Sequence, residues 1–362
     1  MSGTSLDGVD GVLVRLPAPT ATARVEVLAH AARCFGPRLR DELLALNASG
    51  DDELHRSALA ARALAELYAD VVADLLRCGE VMAGAVRAIG AHGQTVRHRP
   101  ELGYTVQLNA PALLAERTGI AVVADFRSRD VAAGGQGAPL VPAFHRAVFA
   151  QPGRDVAVLN LGGFANLSLL HGDGRTLGFD TGPGNVLLDA WAQRHLGAAF
   201  DADGAWGAQG AVCDALLDRL LADAYFSRPP PKSTGRDEFN VAWLLRHLDA
   251  RRQPVAPADV QATLAELTAR SVADALRGTL PGAAELIVCG GGARNGDLIA
   301  RLRRMLPGVA CVPSDAVGLP VEQVEAAAFA WLARQALDRL PGNLASVTGA
   351  AGPRVLGAIY PA

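Results

Sequence analysis

The stretch Gly178-Phe179-Asp180-Thr181-Gly182-Pro183-Gly184-Asn185 limits what this chain can fold into more than any other. Its glycines and proline mark a tight turn, and one carboxylate, Asp180, sits inside it. Before it, Asp155 to Leu170 reads as a β-hairpin: Val156 to Leu159, a break at Gly162-Gly163, then Phe164 to Leu170. After it, Val186 to Leu196 reads as a helix. Asp180 is therefore expected where a buried strand ends and a helix begins. Such a junction collects backbone N–H groups and the positive end of a helix dipole, which suits an anion. A carboxylate there can take a proton from a nucleophile. It can equally cap the helix or fix the turn.

Three further glycine-rich motifs carry similar chemistry. Ser2 to Asp10 offers small hydroxyls, glycines and acids in a turn. Backbone N–H groups and hydroxyls can approach phosphates there, and Asp7 can hold Mg²⁺ through water. It lacks the Gly-Lys-Ser/Thr of a Walker loop, and a plain turn is the alternative. Leu161 to Asn166 is a second hairpin turn, with a ligand-free Gly-Gly hairpin as its alternative. Val288 to Asn295 reads as strand, glycine loop and helix start, where a flat ring or phosphate can lie against bare backbone. The same signal also marks tight strand–helix packing, and its spacing is not GxGxxG, which disfavours a dinucleotide fold.

His92 and Arg127 each follow an expected strand, at 86–91 and 119–126. Arg127 supplies a fork for a carboxylate or phosphate, while His92 is either a structural histidine or a substrate contact. Glu325 lies in an otherwise apolar helix expected over 322–340, as a surface acid or a pocket group. Pro229 to Asn240 reads as a hinge or lid in which Lys232, Ser233 and Thr234 can touch a ligand.

At 362 residues the chain suits two domains. Strands and helices mix in both halves, and each half opens with a Gly-rich turn, which predicts an α/β architecture of two similar domains facing a cleft. The expected boundaries are 1–150, 151–345 and a tail, 346–362, packing back on the first domain. No strand stands ahead of the Ser2 turn, so the first strand of that domain is expected to be missing, with about ten residues upstream supplying it. The net charge of −3 gives no basic footprint, so nucleic acid is excluded as a partner. The five scattered cysteines read as reduced core thiols. With no apolar run long enough to span a bilayer, the expectation is a cytoplasmic protein without a membrane partner.

Assembled, these motifs resemble the anhydro-N-acetylmuramic acid kinases, relatives of the actin-like sugar kinases. The resemblance rests on MSGTSLDGVD at the start, GAHGQTVRH at 90–98 and ADFRSRDVAAGGQGAPLVPAFH at 124–145. It continues through NLGGFANLS at 160–168, GFDTGPGN, PPKSTGRDEFN, VCGGGARN, VEAAAFAWLA at 324–333 and SVTGA at 346–350. It implies two actin-like (ribonuclease H-like) domains flanking a nucleotide-binding cleft, with ATP and Mg²⁺ as cofactors. It implies that Gly3, Thr4, Ser5, Leu6, Asp7, Gly8, Val9 and Asp10, with Gly162, Gly163 and Asn166, clamp the phosphates. Gly290, Gly291, Gly292 and Asn295 would receive the adenosine. Asp180 matches the catalytic aspartate, and His92, Arg127 and Glu325 match positions that contact the sugar. The implied reaction opens 1,6-anhydro-N-acetylmuramic acid with water and phosphorylates O6, in cell-wall recycling. Another actin-like sugar or carboxylate kinase, or a non-catalytic ATP-binding sensor, is the alternative, and a homodimer is left open. Where the family commonly has Gln-Ile-Gly-Asp-Pro this chain has Gln107-Leu108-Asn109-Ala110-Pro111, so Asn109 and Ala110 receive no role.

Overall fold

Aliphatic runs and alanine-rich segments of helical period sort the chain into two units, Met1–Val148 with Gln323–Ala362, and Phe149–Glu322. The structure, a computed structural model, describes residues 1–3, 6–17, 25–249 and 254–362. Thr4 and Ser5, expected in the phosphate turn, lie outside the described residues.

The first unit opens with β1 (Gly8–Arg15) and β2 (Glu26–Cys34), an antiparallel pair, then α1 (Pro37–Ala45) and α2 (Glu53–Cys78). There follow β3 (Ile89–Gly90), the hairpin β4 (Gln94–Arg99) and β5 (Tyr104–Leu108), α3 (Pro111–Thr118), β6 (Val122–Ala124), α4 (Ser128–Ala132) and α5 (Val141–Phe149). On α2, Leu64, Tyr68, Val71 and Leu75 recur at helical spacing and all are buried, so this face packs on β1 and β2.

The second unit carries β7 (Val156–Leu161), β8 (Phe164–Leu170), β9 (Thr176–Pro183), α6 (Val186–Leu196), α7 (Asp214–Leu221), α8 (Ala224–Ser227), α9 (Val241–Asp249), α10 (Pro257–Thr279), β10 (Glu285–Cys289), α11 (Gly296–Met305) and β11 (Ala310–Pro313). Its sheet order is β11-β10-β7-β8-β9, with β7, β8 and β9 antiparallel and β10 and β11 parallel to β7. That order is ribonuclease H-like. Every residue of β7 is buried, as a central strand covered on both faces requires. A second cluster (Trp191, Tyr225, Phe239, Trp243) packs α6 and α9 beside the sheet.

The chain returns to the first unit with α12 (Val324–Leu337), α13 (Ala345–Thr348) and β12 (Ala358–Tyr360), which pairs antiparallel with β6, itself parallel to β3. The return was expected at residue 346; the contacts put it at Gln323. The reason is that α12 is apolar nearly all round and packs on β1 and β3. At Gly90 a Cβ would come within 2.2 Å of the Phe329 carbonyl oxygen, so strand and helix touch backbone to backbone. Of the five cysteines only Cys289 and Cys311 are buried, while Cys34 and Cys78 are exposed, so the expectation of core thiols holds for two.

Asp130 fastens this return. Fully buried, it accepts hydrogen bonds from the Gly137 N–H (2.8 Å), Asn343 Nδ2 (2.7 Å) and Thr348 Oγ1 (2.8 Å). Asp130→Ala takes an acceptor from three buried donors and leaves Asn343 and Thr348 only their longer bonds to the Gly352 and Leu344 carbonyls. Its stability should fall by about 3 kcal/mol, read as a lower urea midpoint. A loss below about 0.5 kcal/mol would show that the tail does not depend on this carboxylate.

Candidate functional site

In the first unit the structure joins His92, Arg127 and the N-terminal turn. His92 follows β3 and is 5% exposed. Arg127 follows β6, and its Nη2 and Nε lie 2.9 and 3.3 Å from His92 Nε2. A guanidinium has no acceptor, so Nε2 is the unprotonated nitrogen. The proton therefore sits on Nδ1, which donates to the Ser2 carbonyl at 3.1 Å. Burial, then the nearby Arg127 charge, hold the imidazole well below its ordinary pKa, so the ring is neutral at pH 7. Arg127 Nη1 donates to the Gly137 carbonyl at 2.8 Å. Burial pushes the guanidinium down to about 10, opposed by the carboxylates of Glu325 and Asp130, and it stays cationic at neutral pH.

Tyr68 secures the same corner. Its hydroxyl accepts from the Gly93 N–H (3.2 Å) and meets Ser2 Oγ (3.3 Å), which donates to the Gly93 carbonyl (2.9 Å). Burial pushes the phenol up to about 12. From α12, the Phe329 ring stands 4.6 Å from His92, one turn beyond Glu325, which is partly buried. Sequence reasoning missed Tyr68, Asp130 and Phe329, since each is an ordinary residue of its element until the fold is known.

The expected turn over Ser2–Asp10 is shorter than the motif. Leu6 takes a left-handed φ of 56°, and Gly8, Val9 and Asp10 already belong to β1. Asp7 is exposed, and burial raises the pKa of Asp10, whose carboxylate lies 3.7 Å from His30. Among the described residues no group of three or more His, Cys, Asp or Glu side chains could hold a metal ion.

In the second unit Asp180 lies inside β9, not at the strand–helix junction. Pairing with β8 runs on to Phe164 opposite Pro183, with Asp180 opposite Asn166 and the register slipping between Ala165 and Asn166. That bulge at Thr181 re-aims the strand beside the carboxylate. Asp180 Oδ2 accepts from the Thr234 N–H (3.0 Å), its N–H donates to the Lys232 carbonyl (3.0 Å), and its carbonyl accepts from the Tyr225 hydroxyl (2.7 Å). Burial raises the carboxyl to about 6, partly offset by the Thr234 N–H. Lys232 Nζ donates to the Tyr225 carbonyl (3.1 Å) and lies 4.6 Å from the centre of its ring. The loop 229–240, expected as a hinge or lid, is thus tied at Lys232 and Thr234 to the aspartate. Tyr225 was missed, because nothing in Ala-Tyr-Phe-Ser signals a role.

The hairpin turn holds the start of α6. The Gly162 carbonyl accepts from the Asn185 N–H (2.9 Å) and the Gly163 carbonyl from the Val186 N–H (3.0 Å). The amides of the N-cap and of the first residue of that helix, at a junction expected to suit an anion, are occupied by the hairpin. In the glycine loop, a Cβ on Gly290 would approach Asn160 Oδ1 to 2.4 Å, and one on Gly292 would approach Leu161 Cβ to 2.7 Å. Both are glycine so that the loop can seat on the end of β7. Gly163 and Gly291 differ: a Cβ there meets nothing within 4 Å, and neither has the positive φ that would demand glycine. Those two bare positions are where another molecule could lie against backbone. Asn295 caps α11 through the Leu298 N–H (3.0 Å).

A family model described as anhydro-N-acetylmuramic acid kinase matches residues 1–362. Relatives of that name are 62% identical in Bordetella petrii (all of this chain, 95% of the relative) and 61% identical in Variovorax paradoxus (all of this chain, 98% of the relative). One in Cupriavidus pinatubonensis is 58% identical over all of this chain and 97% of its own length. Among the described residues no helix is long and apolar enough to cross a membrane.

Raising a carboxyl from its ordinary 3.8 to about 6 means that its ionised form destabilises the fold. The penalty is absent below about pH 4, grows to about pH 6 and is complete above it. Asp180→Asn should therefore melt above the native protein at about pH 8 and together with it at about pH 4. Equal melting at both values would mean the carboxylate is not desolvated.

Proposed function

Because the chain belongs to the anhydro-N-acetylmuramic acid kinase family, we propose that it opens 1,6-anhydro-N-acetylmuramic acid with water and phosphorylates O6 from ATP, with Asp180 as general base. The observation that carries this reading is the Asp180 carboxylate, desolvated to a pKa of about 6 and oriented by the Thr234 N–H. At neutral pH it is ionised yet basic enough to take a proton.

The substrate is an internal acetal, so O6 is not free until the C1–O6 bond opens. Asp180 takes a proton from a water as its oxygen attacks C1. The C1–O6 bond breaks, and O6 attacks the γ-phosphorus of ATP, releasing ADP. The products are N-acetylmuramic acid 6-phosphate and ADP. Arg127, cationic and fixed by His92 and Gly137, holds the sugar together with Glu325. Gly163 serves the phosphates and Gly291 the adenosine, a reading supported by the absence of any protein reason for glycine at either. Asp7 would hold Mg²⁺ through water, and the ion would supply neutralisation of phosphate charge.

Asp180→Asn keeps size and hydrogen bonding but removes the base. Turnover should fall by roughly a hundredfold or more while both substrates still bind. In ¹⁸O-water the label should enter C1 of the sugar. Near-native turnover, or label in the phosphate, would sink the mechanism.

Gly163→Ala and Gly291→Ala separate ligand contact from packing. Melting should stay within a degree or so, since each new methyl enters open space. The KM for ATP should rise about tenfold, with that for the sugar unchanged, as expected for about 1.4 kcal/mol of lost binding. An unchanged KM for ATP would place both glycines away from the nucleotide.

A further inference from the structure

His92 stands where three elements of the first unit meet, and each of its faces is engaged. Nδ1–H donates to the Ser2 carbonyl, at the root of the N-terminal turn. Nε2 accepts from Nη2 and Nε of Arg127. Phe329, one turn along α12 from Glu325, covers the ring at 4.6 Å. With 5% of its surface exposed, the ring has no nitrogen left for a sugar. A residue placed to touch substrate would keep one.

From this placement we infer that His92 is a positioning residue that couples the nucleotide turn to the sugar-binding arginine, so that each substrate tightens the binding of the other. The inference rests on the roles proposed for that turn and for Arg127. The imidazole is rigid, and its two nitrogens have opposite roles fixed by their partners. A shift of the Ser2 carbonyl toward or away from a bound phosphate must turn the ring or break its bond. Turning the ring takes the acceptor from Arg127, which also donates to the Gly137 carbonyl. Ser2 is also held through its hydroxyl by Tyr68 and the Gly93 carbonyl, which restrains it in other directions. Coupling of this kind is reciprocal: the factor by which sugar improves nucleotide binding equals the factor by which nucleotide improves sugar binding.

The test measures the dissociation constant of a non-hydrolysable ATP analogue with and without saturating 1,6-anhydro-N-acetylmuramic acid. The native protein should show coupling of about tenfold, inside the range usual for linked sites. Two substitutions cut the ring in halves. His92→Asn keeps a donor near the Nδ1 position and loses the acceptor for Arg127. His92→Gln keeps an acceptor near Nε2 and loses the bond to Ser2. Both should reduce the coupling to about onefold, but Asn should chiefly weaken the sugar and Gln chiefly the nucleotide. A purely structural histidine would instead weaken both ligands equally in both variants, and that result, or native coupling in either variant, overturns the inference. If a variant fails to fold, the ¹⁵N spectrum of the native ring decides: Nδ1 protonated and Nε2 bare is expected, and the opposite tautomer or a charged ring overturns it. Arg127→Lys tells the two readings apart. Undiminished sugar affinity in that variant removes the proposed sugar site, and the inference with it. Weakened affinity beside intact coupling in the His92 variants removes the inference alone.

Discussion

A carboxylate with no access to water, Asp130, holds together two stretches of the first unit more than two hundred residues apart in sequence. One of its oxygens takes both tail donors, Asn343 and Thr348, and the other takes the amide of Gly137. The carbonyl of that same Gly137 receives Arg127, and Arg127 is shared with His92. From Asp130 to Ser2 the polar groups form one hydrogen-bonded series, with the Phe329 ring packed beside His92 and the Phe126 ring against Phe329. Burying so many polar groups is tolerable only because each has a partner. The reward is a guanidinium with one orientation, which a flexible surface arginine does not have.

The second unit handles its acid in the opposite way. The Asp180 carboxylate accepts from the Thr234 N–H, and burial raises its affinity for a proton. Around it the backbone is held firmly, by Tyr225 and by the carbonyl of Lys232. Position is fixed through the main chain of the aspartate, and burial raises its basicity.

Much of this was legible in the residues. The hairpin over β7 and β8, the glycine loop after β10 and the helices α6 and α12 follow from period and punctuation, and the motifs named the family. The position of Asp180 within its strand did not follow. Gly182 and Pro183 look like turn residues, and only the pairing with β8 shows that the ladder continues past them. Nor could the sequence separate the three adjacent glycines by purpose. Gly290 and Gly292 answer to Asn160 and Leu161, more than a hundred residues earlier, while a Cβ on Gly291 would meet nothing within 4 Å among the described residues. The membership of α12 was hidden for the same reason, because a helix that is apolar all round does not announce which sheet it covers.

The return of the chain at Gln323 has a bearing on synthesis. The second unit is a contiguous insertion, complete once residue 322 has left the ribosome, and it can fold on its own schedule. The first unit cannot. Its N-terminal 148 residues are made first but wait for the last forty, which carry α12 for β3 and the partners of Asp130. Throughout that interval a carboxylate meant for the interior is still hydrated, and the strand β6 shows a bare edge where β12 will later pair. Residues 1–148 are therefore translated before the second unit yet become native after it, and it is during that wait that a nascent chain would most need a chaperone.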